Sequence, residues 1–103
     1  MLRMLAALAN PHRLRVVAAL AGGRNYVSQL ARQLEMSRPL LHMHLQRLES
    51  AGLVTSALEL SDDGKAMRFF EVTPFALLLT PATIAAAAPT LTDRNDAEEQ
   101  GSR

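Results

Sequence analysis

The side chains that could do chemistry in this 103-residue chain are few: three histidines, eleven lysines and arginines, ten carboxylates and no cysteine. The missing thiols exclude disulfide frameworks, thiolate metal sites and cysteine nucleophiles. No Ser/His/Asp set, paired carboxylates or phosphate-binding glycine loop occurs at usable spacing, so an enzyme is not expected and no catalytic or cofactor-binding residue is assigned. His42 and His44 stand two residues apart; on a helix they project about 200° apart and cannot clamp one ion. A low-affinity metal site on His12, or on a histidine pair between subunits, stays open, and no metal ligand is assigned. The cations carry a clearer signal. Residues 1–54 hold seven arginines (3, 13, 15, 24, 32, 38 and 47) against Glu35 and Glu49, a balance of +5. Residues 55–103 hold Lys65, Arg68, Arg94 and Arg103 against eight acids, a balance of −4. A basic half joined to an acidic half points to a polyanion-facing surface on the first.

Those side chains need a scaffold. A chain of this length makes one domain, and 49% apolar residues dominated by Leu and Ala favour helix packed on helix. No apolar run approaches the roughly 20 residues that span a bilayer. The apolar N-terminus is interrupted by Arg3, Asn10, Pro11, His12 and Arg13, with no cleavable signal after it, so a cytoplasmic protein without a membrane partner is expected.

Leu2, Leu5 and Leu8 predict a short helix over Met1–Ala9. Asn10-Pro11 reads as an N-cap followed by proline at the first helical position. It opens a helix to about Ala21 with Leu14, Val17, Ala18 and Ala21 inward, stopped by Gly22-Gly23. Ser28 is a cap candidate for Gln29–Glu35, with Leu30, Ala31 and Leu34 inward. After a turn at Met36, Ser37 caps the longest helix, with Pro39 in its first turn and Leu41, Leu45 and Leu48 as its apolar stripe. It runs to about Ala51, is closed by Gly52, and Leu53-Val54 begins an extended segment. Asp63-Gly64 predicts a two-residue hairpin turn between Ala57–Leu60 and Met67–Val72. Residues 73–80 fit a strand or a helix, the strand being preferred, and Thr80-Pro81 caps a helix over Pro81–Ala88. From Pro89 the residues are polar without apolar periodicity, so 1–88 is read as the domain and 89–103 as a disordered tail.

Two short helices joined by a turn, the second ending at glycine and running into a hairpin, outline a winged helix-turn-helix: mainly α with a small β-hairpin. A helix about 10–12 Å wide fits the major groove of B-DNA, while the preceding helix braces it across the backbone. The stretch from Met36 to Val54 resembles the recognition-helix signature of the ArsR/SmtB-like regulators, through Ser37, Pro39, His44, Leu45, Leu48, Ala51, Gly52, Leu53 and Val54. The run Leu8-Ala9-Asn10-Pro11-His12-Arg13-Leu14-Arg15-Val16-Val17 is similar to the opening of the same family, and the resemblance covers residues 5–72.

That resemblance implies DNA contact by Arg38, Pro39, Leu40, His42, Met43 and Gln46, which all lie off the leucine stripe. Arg38 suits guanine or a phosphate, Gln46 adenine, and His42 a base acceptor or phosphate. Ser37, at the helix N-terminus, is placed for a phosphate. Leu40 and Met43 depart from the polar or basic residues usual in the family; they would meet thymine methyl groups or pack on a neighbouring helix. His44 reads as a hydrogen-bonded packing residue rather than a ligand. In the wing, Asp62 and Asp63 would repel phosphate and leave Lys65 and Arg68 as its contacts.

Many relatives sense metals through thiolates, or through Asp and His of the last helix; Cys is absent here and no His follows His44. An effector, metal or partner protein, therefore stays open, as does a co-regulator. The resemblance also implies that the terminal helices, Met1–Ala9 and Pro81–Ala88, form a two-fold homodimer interface, giving a near-palindromic DNA site. The rival reading is a protein-interaction module that kept the fold and lost DNA binding.

Overall fold

The computed structural model describes residues 1–91; the expected tail beyond Leu91 lies outside the described residues. The elements run α1 (Leu2–Leu8), α2 (Pro11–Ala21), β1 (Asn25–Tyr26), α3 (Val27–Leu34), α4 (Arg38–Ser50), β2 (Val54–Leu60), β3 (Ala66–Val72) and α5 (Pro81–Ala87). A short 3-10 turn follows at Ala88–Thr90, where the tail was expected to have begun.

Capping chemistry sets the helix ends. Asn10 Oδ1 accepts from the backbone N–H groups of His12 (2.8 Å) and Arg13 (3.3 Å), with Pro11 behind it, to open α2. Ser37 Oγ accepts from Leu40 N (3.3 Å) to open α4, with Pro39 in the first turn. Caps of this kind are worth about 1 kcal/mol each. The helix-turn-helix depends on two matching C-terminal closures. At the end of α3, Glu35 adopts φ 53°, so Met36 N reaches Ala31 O (3.0 Å) and Glu35 N reaches Arg32 O (3.2 Å). At the end of α4, Gly52 adopts φ 78°, and Leu53 N reaches Leu48 O (2.9 Å) while Gly52 N reaches Glu49 O (3.0 Å). Both are Schellman closures, and the second packs buried Leu53 over buried Leu48.

One core unites these elements. Val16 and Leu20 of α2, Leu30 and Ala31 of α3, Leu41, Leu45 and Leu48 of α4, then Leu53, Val54 and Phe70, are all buried, with Ala7 of α1 at the edge. Burying an aliphatic or aromatic side chain of this size contributes about 1.5–3 kcal/mol. Helix α2 turns a different face inward from the one expected: Leu14 is 52% exposed and Ala18 and Ala21 are exposed, and only Val17, half-buried against the core, faces inward as expected. The inner row is instead Arg13, Val16, Val17 and Leu20, at the i, i+3, i+4, i+7 spacing of one helical face. An arginine at the first of those positions disguised the stripe.

The sheet is antiparallel with strand order β1-β3-β2. Val54 pairs with Val72 and Leu60 with Ala66, while Asn25 and Tyr26 pair with Phe70 and Phe69. That third strand, two residues long, carries no sequence pattern, and it moves the start of α3. The chain stays extended through Tyr26 and turns helical at Val27, so Tyr26, not Ser28, occupies the cap position. The hairpin loop is longer than the expected two residues. Ser61 N donates to Lys65 O (2.7 Å) and Gly64 N to Ser61 O (2.9 Å), with Gly64 at φ 84°. This is a three-residue loop in which the glycine forms a bulge. Residues 73–80 are neither the preferred strand nor a helix. Thr73 still bonds back through its N–H to Leu53 O (3.0 Å) and its hydroxyl to Gly52 O (2.8 Å), but Pro74 has no N–H to continue a ladder. Helix α5 then opens on a capping box between Thr80 and Thr83.

Candidate nucleic-acid interface

Helix α4 divides cleanly into two faces. Leu41, His44, Leu45 and Leu48 are buried, whereas Ser37, Arg38, Pro39, Leu40, His42, Met43 and Gln46 are all exposed. Arg38, His42 and Gln46 fall at successive i+4 positions and form one polar row along the helix. Leu40 and Met43 are 38% and 44% exposed, so neither is packed away inside the subunit. Arg38 has no hydrogen-bond or ion-pair partner among the described residues.

The wing brings Lys65 and Arg68 to the surface as well, in different settings. Lys65 sits in the loop, its backbone N–H bonded to Ser61 Oγ (3.1 Å). Asp63 folds back into that loop, accepting from the Ser61 hydroxyl and the Lys65 N–H, and these bonds hold its carboxyl below the usual range. Asp63 is thus a turn-forming residue, though it keeps its negative charge. Arg68 lies on the same sheet face as buried Phe70, two residues along the strand, and points beyond the core. Its Nη1 donates to Ser56 Oγ (3.1 Å), which donates to Glu49 Oε2 (3.1 Å). This chain links the wing to the last turn of α4. It could not be read from sequence, because the three residues meet only once β2 and β3 are in register.

A surface groove of about 280 Å³ lies between the start of α3 (Tyr26, Val27, Ser28), Arg38 at the start of α4, and Met67 and Arg68 of β3. Two cations singled out thirty positions apart therefore border one depression. Behind the wing, the guanidinium of Arg24 pairs with the carboxylate of Glu59 (Nη2 to Oε1 2.9 Å) and lies 4.6 Å from the centre of the Phe69 ring.

His44 occupies the packing role expected of it. It is 3% exposed, and its Nδ1 accepts from Arg13 Nε (3.2 Å), whose Nη1 reaches Ala7 O (3.4 Å). The Nε2 atom is buried without a partner in the described residues. His12 stacks on the ring at 5.7 Å between centroids and 27° between planes. Burial, with Arg13 and His12 adding to it, pushes the His44 pKa below its ordinary value. His44 Nδ1 is already engaged by Arg13 and its Nε2 is buried, so neither nitrogen is open to share an ion with His12. No group of three or more His, Cys, Asp or Glu able to hold a metal occurs among the described residues. Nor is any described helix long and apolar enough to cross a membrane.

The geometry agrees with what known proteins show. Residues 10–56 match the model of the bacterial regulatory protein, arsR family. An uncharacterized HTH-type transcriptional regulator of Methanocaldococcus jannaschii is 37% identical over 73 residues, 71% of this chain and 76% of that protein. The crystal structure of a possible transcriptional regulator for arsenical resistance is 32% identical, with a TM-score of 0.61 over 72% of each chain. A possible ArsR-family regulator from Mycobacterium bovis, solved in solution as a homodimeric winged helix-turn-helix DNA-binding domain, shares the fold. There the TM-score is 0.63 at 24% identity, over 93% of this chain and 78% of that one. The chain belongs to the ArsR family of bacterial transcriptional regulators and has its winged helix-turn-helix fold.

Proposed function

We propose that this protein is a sequence-specific DNA-binding regulator, without catalysis of its own, that acts in the cytoplasm as a homodimer on a near-palindromic operator. The observation that carries the proposal is the division of α4: four side chains anchor it in the core while the row Arg38, His42 and Gln46 faces outward. Such a helix can lie in a major groove with Arg38 on guanine or phosphate and Gln46 on adenine. Ser37 and Pro39 stand at its entry, Leu40 and Met43 are free to meet thymine methyl groups, and Lys65 and Arg68 are the wing contacts. The homodimeric state of the Mycobacterium bovis domain supports the same assembly here. Control by a metal or a partner protein fits a regulator of this family.

Selection of binding sites from a random duplex pool, repeated with candidate metals, tests the proposal. A two-fold site should emerge, with affinity falling log-linearly as salt rises. Absence of any enriched sequence at low salt overturns it. A second reading, a protein-interaction module, draws on the wing, where Leu58 and Leu60 are 62% and 76% exposed beside Asp62 and Asp63. It predicts salt-independent indifference to duplexes in the same experiment.

A further inference from the structure

We infer that the groove between Arg38 and Arg68 is the seat of one DNA backbone phosphate, held jointly by the recognition helix and the wing. The inference rests on the DNA-binding reading above and adds to it a particular site and its ligand. A protein that puts a helix in the major groove and a wing in the adjacent minor groove must straddle the sugar–phosphate strand between them. The surface between α4 and β3 is where that strand has to run, and it is concave, about 280 Å³.

The lining fits an anion. Arg38 enters from the first turn of α4 with no partner among the described residues, and Arg68 from β3. A guanidinium has five N–H donors, and Arg68 is shown spending one on Ser56, an uncharged acceptor. The carboxylate of Glu49 is reached through Ser56, so Ser56 and Glu49 orient Arg68 while leaving donors for a phosphate. Ser28, half-buried in the opening turn of α3, adds a hydroxyl on the third side. Tyr26, Val27 and Met67 supply apolar walls, which fit the sugar edges flanking a phosphodiester. Ser56 and Glu49 are positioning residues in this scheme; Arg38 and Arg68 are the ones that touch the ligand.

The test uses the full chain, a duplex from the random-pool selection, and the variants Arg38→Ala, Arg68→Ala and both together. Both side chains are exposed, so the variants keep the core, which circular dichroism checks. The dimer holds one such phosphate in each half-site, so each single change should lower the magnitude of the log-affinity against log-salt slope by no more than about 1.8, the contribution of two phosphates. Because both arginines hold the same phosphate, the double variant should lose about 1.8, not twice that. Replacing that phosphate by neutral methylphosphonate in both half-sites should abolish the effect of both substitutions, and replacement at other positions should not. Additive slope losses, or no position that silences both, overturn the shared seat. Titrating inorganic phosphate at fixed ionic strength, followed by the Arg Nε–H resonances, separates a free anion from DNA. Saturation by free phosphate with unchanged DNA slopes in the variants overturns the DNA assignment. If the wild-type chain binds no duplex, the regulator reading falls and the seat falls with it; wild-type binding with unaltered slopes removes the seat alone.

Discussion

Two side chains on α4, one turned out and one turned in, have distinct and separable consequences. Gln46 is exposed in the polar row, and a glutamine bonded to both N6 and N7 on the major-groove edge of an adenine discriminates by about 1–3 kcal/mol. Gln46→Ala should therefore weaken binding by that amount at each half-site of the selected operator and relax preference at a single base pair per half-site; equal loss on all sequences would demote it to backbone contact. His44 is the inward counterpart. Its Nδ1 accepts from Arg13, which assigns the proton of the neutral ring to the partnerless Nε2, and an orphaned buried donor costs about 1–3 kcal/mol. Protonation would be worse, removing the acceptor and setting a second charge against Arg13 and beside His12. The folded pKa lies below the unfolded value, about 6.5. In that window the unfolded chain binds more protons, so stability falls as pH drops below about 6.5 and is unaffected by His44 above it. Thermal melts from pH 8 to 5 should show that decline, and His44→Gln should flatten it; an identical pH profile in the variant would show that another group titrates. The sequence motif placed His44 correctly as a packing residue, but Arg13 and His12 as its neighbours were beyond reach, because the contact spans thirty-one positions and joins two helices.

At the scale of elements, what was legible was whatever is written in local chemistry. Asn10-Pro11, Ser37 with Pro39 and Thr80-Pro81 each open a helix by a side-chain bond, Gly52 closes one by its backbone angle, and each was read at its place. Gly52 offers a direct check. Its φ of 78° suits glycine, yet a Cβ there would meet nothing within 4 Å. Gly52→Ala should thus cost about 1–2 kcal/mol from conformation alone, measured by urea unfolding, with DNA affinity of the folded protein unchanged. A much larger loss would mean that the closure also sets the angle of the wing. What was not legible depended on partners distant in the chain. Strand β1 exists only because β3 offers it an edge, and α3 starts where that pairing stops. The inner face of α2 was missed because Arg13 stands in an apolar row, its guanidinium engaged by His44 and the Ala7 carbonyl. The candidate site divides the same way. The outward face of α4 follows from its leucine spacing, whereas the groove shared by Arg38 and Arg68 follows from sheet register.

The whole molecule is too small to bury everything apolar it carries. Among the described residues Leu78 is 73% exposed, Leu79 48%, Ile84 49% and Leu91 38%, and no residue of α5 is buried. A seven-residue helix is marginal in water on its own, so even a complete capping box does not account for α5 standing without a packed face. In the proposed dimer a second copy would supply that face, and an isologous contact would bring the same leucines together from both subunits. The arrangement has a functional corollary: two α4 helices read successive major grooves only when the dimer holds them about 34–36 Å apart. Sedimentation at micromolar concentration should therefore find a dimer. Leu78→Glu combined with Ile84→Glu should yield a monomer that keeps its core, since neither residue belongs to it. That monomer should bind an isolated half-site as tightly as wild-type protein does per subunit, while losing the gain that wild type shows on the two-fold site. A wild-type monomer at these concentrations would remove the dimer, and a dimer untouched by both glutamates would place its contact elsewhere; either outcome would leave the exposed leucines of residues 78–91 to a different partner.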